Sequence, residues 1–418
     1  SGDKDNEYFS DGVAEELLNL LAKLPTLRVA SRTSSFAFRD SRKTAREIAA
    51  ALDVDLLLTG SIRKAGNRVR ISMQLIDAGA DEQLWSDIYD RELTDIFDVQ
   101  AEIAGNVVAE VSRGEASDIH RYEPTDSPEA YDFYLRGRQR FHEYDRGNLQ
   151  QAREMFERAI ERDPGFAKAW AGVANASCLL YMWFSASQDN LQMADHASLQ
   201  ALSLDDSIAE SHTARGFALS LLGDFDSAED EFDEALDIDP LLWEAWYLYA
   251  RACYAAGQMK KAARLFTKAA DVRRDDYQAL SLAASAYLKI DEKKKSHECA
   301  RECIRRAQAH LQLHPGDTRA WGLGACNLDE IGETEKAEQW LDKMLELAPD
   351  DMACLHMAAC FWGARNDVEK TLYYLERRLE YGDAYLDWMD NDTDFDCVRD
   401  DPRFMAMTEK LRQNKASL

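Results

Sequence analysis

A spacing of 34 residues recurs through the last two thirds of this 418-residue chain and restricts its fold more than any other feature. In residues 209–242, AESHTARGFALSLLGDFDSAEDEFDEALDIDPLL, Gly216 stands at the eighth position and Ala228 at the twentieth. Phe232, Ala235 and Pro240 follow at the twenty-fourth, twenty-seventh and thirty-second. The block that begins at Thr318 has the same layout, with Trp321, Ala325, Ala337, Leu341 and Pro349. Small residues belong where two helices cross closely, a large apolar residue fills the space beside them, and proline ends the second helix. One such helical pair cannot bury its own apolar face, so successive pairs must stack.

The pattern resembles the tetratricopeptide (TPR) repeat, and the resemblance implies an all-α superhelical solenoid with an extended concave surface. About seven repeats are expected over residues 129–385, with residues 386–418 capping the last of them. Repeat one keeps Gly137, Ala152, Phe156, Ala159 and Pro164. Repeat two carries about eight inserted residues near Tyr181–Phe184, repeat four has Arg274 where proline is expected, and repeat seven is degenerate.

In such repeats, positions 2, 5, 9 and 12 of each first helix point inwards. Repeat one then offers Tyr131, Tyr134, Arg138 and Phe141, and repeat two offers Lys168 and Asn175. Phe217 follows in repeat three, and Tyr247, Arg251 and Tyr254 in repeat four. Aromatic and arginine side chains dominate binding hot spots. The cations among them would select a carboxylate or an acidic peptide segment. The competing reading is that Tyr247 and Tyr254 only pack between neighbouring helices. The carboxylate clamp of chaperone-binding repeats is not reproduced, because Ala171, Ala214 and Glu244 stand at its positions.

Residues 1–113 follow a different pattern. DGVAEELLNLLAKL (11–24) reads as an amphipathic helix, LRVASRTSSFAF (27–38) as a strand and polar loop, and TAREIAAALDV (44–54) as a helix. DLLLTGSIRK and RVRISMQLID form strands around Ala65-Gly66-Asn67, QLWSDIYDREL a third strand, and DIFDVQAEIAGNVVAEV a closing helix. This is a small α+β domain with a mixed sheet, joined to the repeats by the polar linker 114–128. These segments resemble the TolB amino-terminal-like domain, which precedes TPR repeats in bacterial signalling proteins. Such proteins also carry class III adenylate or guanylate cyclase domains, winged-helix regulators or kinase-like modules. Members begin with a VLPF-type strand, of whose following loop only Ser1-Gly2-Asp3 is present. The resemblance therefore implies a missing first strand and an open sheet edge that a homodimer could cover.

A formal charge of −27 argues against nucleic acid or an anionic membrane surface as the main partner, since phosphate binding needs clustered Lys and Arg. No apolar run is long enough to span a membrane. No phosphate-cradling glycine loop, GxSxG elbow or HExxH motif is present, so no catalytic residue, cofactor or metal is assigned. Cys299, Cys303, His310 and His314 lie on one helical stripe whose pairs have chelating spacing, but fifteen residues of helix span about 22 Å, too far for one ion. The eight cysteines fall mostly at small buried positions and suit a reducing compartment.

The sequence reading is a non-catalytic signalling fragment, cytoplasmic, that binds a protein or peptide and relays to an attached output domain. Three alternatives are the regulatory region of a multidomain nucleotide cyclase, a small-molecule sensor using the interdomain cleft, and a periplasmic part of a membrane-anchored protein.

Overall fold

A computed structural model describes residues 7–22, 27–39, 41–111, 124–143, 145–379, 389 and 392–416. The chain divides into two compact units, residues 1–172 and 173–418.

Three strands, Leu56–Ala65 (β1), Arg68–Asp77 (β2) and Glu82–Glu92 (β3), form an antiparallel meander in the first unit. Gly66 at φ 59° makes the tight turn between β1 and β2, in a region where a side chain is disfavoured. The register sets Ile62 opposite Ile71 and Ile71 opposite Tyr89, and all three are buried. Helices Glu7–Ala22 (α1) and Ile96–Val111 (α4) contribute Leu21, Ala104 and Val107 to an apolar cluster that also takes in Leu58. Asn106 donates to the Tyr89 hydroxyl at 2.9 Å. On the other face of β1, the neighbouring Leu57 packs with Ala49 of Ala45–Leu52 (α3), a helix opened by a reciprocal Thr44–Glu47 capping box.

One expected element is different. Residues 27–31 form no strand, and Arg32–Phe36 is a short helix (α2). The Ser31 side chain accepts the Ser34 N–H, and Arg32 and Arg39 lie 4.4 and 5.2 Å from the Phe36 ring centre. Leu27 and Val29 still pack on the α1/α4 cluster, so their alternation serves burial without a ladder.

Pro128–Phe141 (α5) and Arg146–Arg162 (α6) make the first helical hairpin, inside the first unit. The next helix, Ala167–Trp183 (α7), contains the division between the units. The second unit continues with Gln188–Leu204 (α8), Ala209–Leu222 (α9), Phe225–Ile238 (α10), Trp243–Ala255 (α11) and Met259–Val272 (α12). It goes on through Gln278–Lys289 (α13), Lys293–Leu313 (α14), Thr318–Glu330 (α15), Thr334–Leu347 (α16), Met352–Ala364 (α17) and Val368–Leu379 (α18). A 3-10 turn, Thr393–Val398, and a last helix, Pro402–Ala416 (α19), close the chain.

The repeat residues occupy the positions their sizes require. Ala152, Ala228, Ala262, Ala325 and Ala337 are fully buried where paired helices cross, beside Phe156, Phe232 and Phe266. A further link repeats with the period. Trp170, Trp246 and Trp321 donate their indole N–H to the carbonyls of Pro164, Pro240 and Pro315 at 3.0, 2.9 and 3.0 Å. Each bond satisfies a carbonyl at a turn where proline has ended the preceding helix. At the C-terminal end, Phe395, Val398 and Phe404 cover Ala359, Leu372 and Leu375, as a cap for the last apolar face requires.

Candidate partner-binding face

The ten residues expected on one inner surface do not stand in one environment. Tyr131, Tyr134, Arg138, Phe141 and Lys168 belong to the first unit. There, helix α1 lies on α5 and covers its inner positions. Tyr131 is 1% exposed, accepts from Gln100 at 3.1 Å, and meets Phe97 edge-on at 4.7 Å. Tyr134 is buried between Phe156 and Phe166, at 5.7 and 4.9 Å. Arg138 donates to Glu15 of α1, which also meets His142 Nε2 at 2.9 Å and Arg32 Nε at 3.2 Å. Burial opposes ionisation of Glu15, but Arg138, His142 and Arg32 overcome it and hold the carboxyl well below the usual carboxylate range. Lys168 approaches Glu16 at 3.8 Å. Phe141 is half-buried beside His142. A second cluster ties the same helices: Tyr8 donates to Asp132 at 2.5 Å, and Lys64 of β1 pairs with that carboxylate. The first hairpin thus shares its packing with the α+β layer, a contact that the polar linker at 114–128 gave no hint of.

Asn175, Phe217, Tyr247, Arg251 and Tyr254 lie in the second unit. Phe217 is 4% exposed and serves the core. Arg251 is only 7% exposed, with its guanidinium 5.1 Å from the Trp183 ring centre and 5.9 Å from that of Tyr247. Arg319 lies 4.5 Å from the same Trp183 ring. Two guanidiniums over one indole concentrate positive charge in a chain of net charge −27. Tyr247 stacks on Trp243 at 4.6 Å, and among the described residues its buried hydroxyl has no hydrogen-bond partner; neither has Asn175 Oδ1. Buried polar atoms are normally paired, so these two call for an explanation. Tyr254 is 1% exposed, bonds Ser285 at 3.1 Å, and carries the Lys289 ammonium 4.6 Å from its ring centre.

Cys360, Asp392 and Asp394 bring three donor atoms within 4.8 Å of one another. Lys289 already places an ammonium against Asp392 at 3.0 Å, which supplies the local positive charge. Along the α14 stripe His310 bonds Asp317 at 2.7 Å and stacks on His314 at 4.6 Å, and among the described residues the stripe forms no cluster of three donors. The eight cysteines are free, and burial pushes the Cys178, Cys303 and Cys326 thiols upward, so these behave as core residues and not as nucleophiles.

Residues 142–177 and 220–295 match the tetratricopeptide repeat family. These are tetratricopeptide repeats. A protein of Rhizobium meliloti (strain 1021), provisionally named adenylate cyclase 3, is 34% identical over 234 residues, or 55% of this chain and 40% of that protein. The chain therefore spans less than half the length of that relative. Among solved structures, YrrB, described as a TPR protein with an unusual peptide-binding site, is 23% identical, with 48% of this chain and 96% of that one covered and a TM-score of 0.31. Human IFIT1, solved as a dimer with PPP-AAAA, is 15% identical over 76% of this chain and 78% of its own, with a TM-score of 0.48.

Applied beyond repeat four, the same TPR position rule would have found residues the sequence reading left out. It places Arg319, Cys326, His356, Cys360 and Gly363 on the inner face of repeats six and seven. Lys289 follows directly after an inner position of repeat five. Nothing in the period signals that Trp183, in the insertion of repeat two, meets Arg251 and Arg319.

Proposed function

We propose that this chain is the non-catalytic, partner-sensing part of a longer signalling protein. The inner TPR face of the second unit binds an acidic peptide segment of a partner protein, and occupancy is relayed to an attached output domain. One observation carries the reading: Arg251 and Arg319 both lie against the Trp183 ring, and Arg251 also lies 5.9 Å from the Tyr247 ring centre. A carboxylate placed there would meet the more exposed Arg319 as a charge-assisted donor, with the Arg251 charge behind the indole. The small α+β layer is read as a TolB amino-terminal-like module, on the strength of the sequence resemblance. The partial relative named as an adenylate cyclase favours one output in particular, a nucleotide cyclase. No helix among the described residues is long and apolar enough to cross a membrane. A cytoplasmic location is our reading of the eight free thiols.

The test is a display of short acidic, neutral and basic peptides probed with the full chain and with Arg319→Glu. Arg319 is the better position to change, because a glutamate at the nearly inaccessible Arg251 would also disturb folding. We expect acidic peptides to bind and the variant to lose at least about tenfold, roughly 1.4 kcal/mol. Binding with no charge preference, or an unaffected variant, would refute the assignment of this face.

A further inference from the structure

The inner face of repeats four to seven already holds a piece of this chain. Asp392 Oδ1 accepts from Lys289 Nζ at 3.0 Å, and both side chains are 5% exposed. The partners are 103 residues apart in sequence, so this is a tertiary contact made by the segment that follows the last repeat. Lys289 also faces the Tyr254 ring, which places Asp392 over the inner surface of α11 and α13. Asp394 reaches α17, where a carboxylate oxygen lies within 4.8 Å of the Cys360 sulfur. Its carbonyl lies so close to Gly363 that a β-carbon there would collide with it. Phe395 packs 5.7 Å from the His356 ring. Tyr254, Cys360 and Gly363 are inner positions of their repeats, the positions that a bound peptide would contact.

The two halves of this segment have different roles. Phe395 and Val398 belong to the apolar cap on α17 and α18. Asp392 also accepts the Asp394 N–H and so caps the 3-10 turn that carries them. That local role does not require the inner-face ammonium of Lys289, and burial there costs each carboxylate hydration. The Lys289–Asp392 pair and the Cys360–Asp394 contact are what a groove selective for an acidic chain would offer any such chain.

We infer that residues 392–394 are an intramolecular occupant of a carboxylate-recognising seat built from Lys289, Tyr254, Cys360 and Gly363, and that an Asp-x-Asp segment of a partner protein competes with them for it. This rests on the proposed peptide-binding role of the inner face and deepens it. It names the ligand chemistry at the C-terminal end of that face and makes access conditional on displacing the chain's own segment. Val398 and Phe404 also hold the cap on α17 and α18, so exchange of the acidic residues does not require the repeats to unfold. Burial and the neighbouring Asp392 carboxylate raise the Asp394 acid to about 8, a sign that the seat holds one ionised carboxylate more comfortably than two.

The probe is a fluorescein-labelled peptide with the sequence of residues 392–398, its cysteine replaced by serine, measured by anisotropy against three full-length chains. Wild type should bind weakly. Asp392→Asn with Asp394→Asn weakens the internal occupant, keeps Phe395 and every groove residue, and should bind the peptide at least about tenfold more tightly. Adding Lys289→Glu to that double variant should remove the gain. Thermal unfolding and amide exchange over α17 and α18 verify that all three chains keep their cap. If the folded double variant binds no better than wild type, or if Lys289→Glu leaves the gain intact, the inference falls. If wild type and double variant bind equally while Arg319→Glu still abolishes acidic-peptide binding, self-occupancy falls and the proposed function stands. If no chain binds this peptide, the seat is structural only.

Discussion

Replacing Glu15 by alanine should destabilise the first unit by about 3 kcal/mol. Glu15 is 5% exposed and faces Arg138, His142 and Arg32 together. Without its carboxylate, Arg138 and Arg32 confront each other across a poorly hydrated gap. Breaking a buried pair from one side costs about 3–5 kcal/mol. The lower end applies because the two arginine side chains keep 27% and 23% of their surface in water. For a unit of this size each kcal/mol moves the melting temperature by about 2–4 °C, so the shift should be about 6–12 °C. Calorimetry of the full chain measures it, and amide exchange in α1 and α5 assigns the transition to this unit. A shift below about 2 °C would refute the ion-cluster reasoning. Glu15→Leu combined with Arg138→Met should recover part of the loss, because removing both partners leaves fewer buried charges uncompensated. If the pair is no more stable than Glu15→Ala, the loss lies in packing. The pH dependence has a definite sign. The folded carboxyl titrates below its unfolded value of about 4.3. Its contribution is therefore complete above that value and is lost as pH falls through the folded one, so wild type and variant should converge only in acid.

Two further outcomes follow from the second unit and from the helix crossings. Asp394, which faces Asp392, Lys289, Cys360 and Glu330, has a raised folded pKa of about 8. Its stabilising contribution is full below the unfolded value of about 3.9 and is lost as pH rises through about 8; the second unit should melt lower at pH 9 than at pH 6, and Asp394→Asn should flatten that slope. An unchanged slope in the variant would assign the dependence to another group. At the repeat's eighth position, a β-carbon on Gly137 would lie 2.5 Å from the Phe156 ring, whereas one on Gly216 would lie 3.1 Å from Phe232. Gly137→Ala should cost about 1–3 kcal/mol and Gly216→Ala less, read by thermal unfolding; the reverse order would contradict the packing geometry.

Local chemistry made much of this protein legible from its residues alone. The 34-residue spacing of alanine, phenylalanine and proline specifies helical hairpins, because small residues at crossings and a helix breaker at the end act over a few turns of chain. The β1/β2 hairpin was equally local, with Gly66 making the turn. Residues 27–31 show where that reasoning stops. They alternate like a strand, but a strand exists only when another strand accepts its backbone, and none among the described residues does. The candidate site had the same limit. Position rules marked Tyr131, Arg138, Tyr247, Arg251 and Tyr254 as inward-facing, which is a property of one helix. What covers each inward face depends on residues far away in the chain: Glu15 reaches Arg138 across 123 positions, and Asp392 reaches Lys289 across 103. Burial and charge pairing of that kind arise from the packed elements together, so the tertiary structure alone decided that α1 covers the inner face of the first hairpin and that the inner face of the last repeats holds an acidic segment of the chain itself.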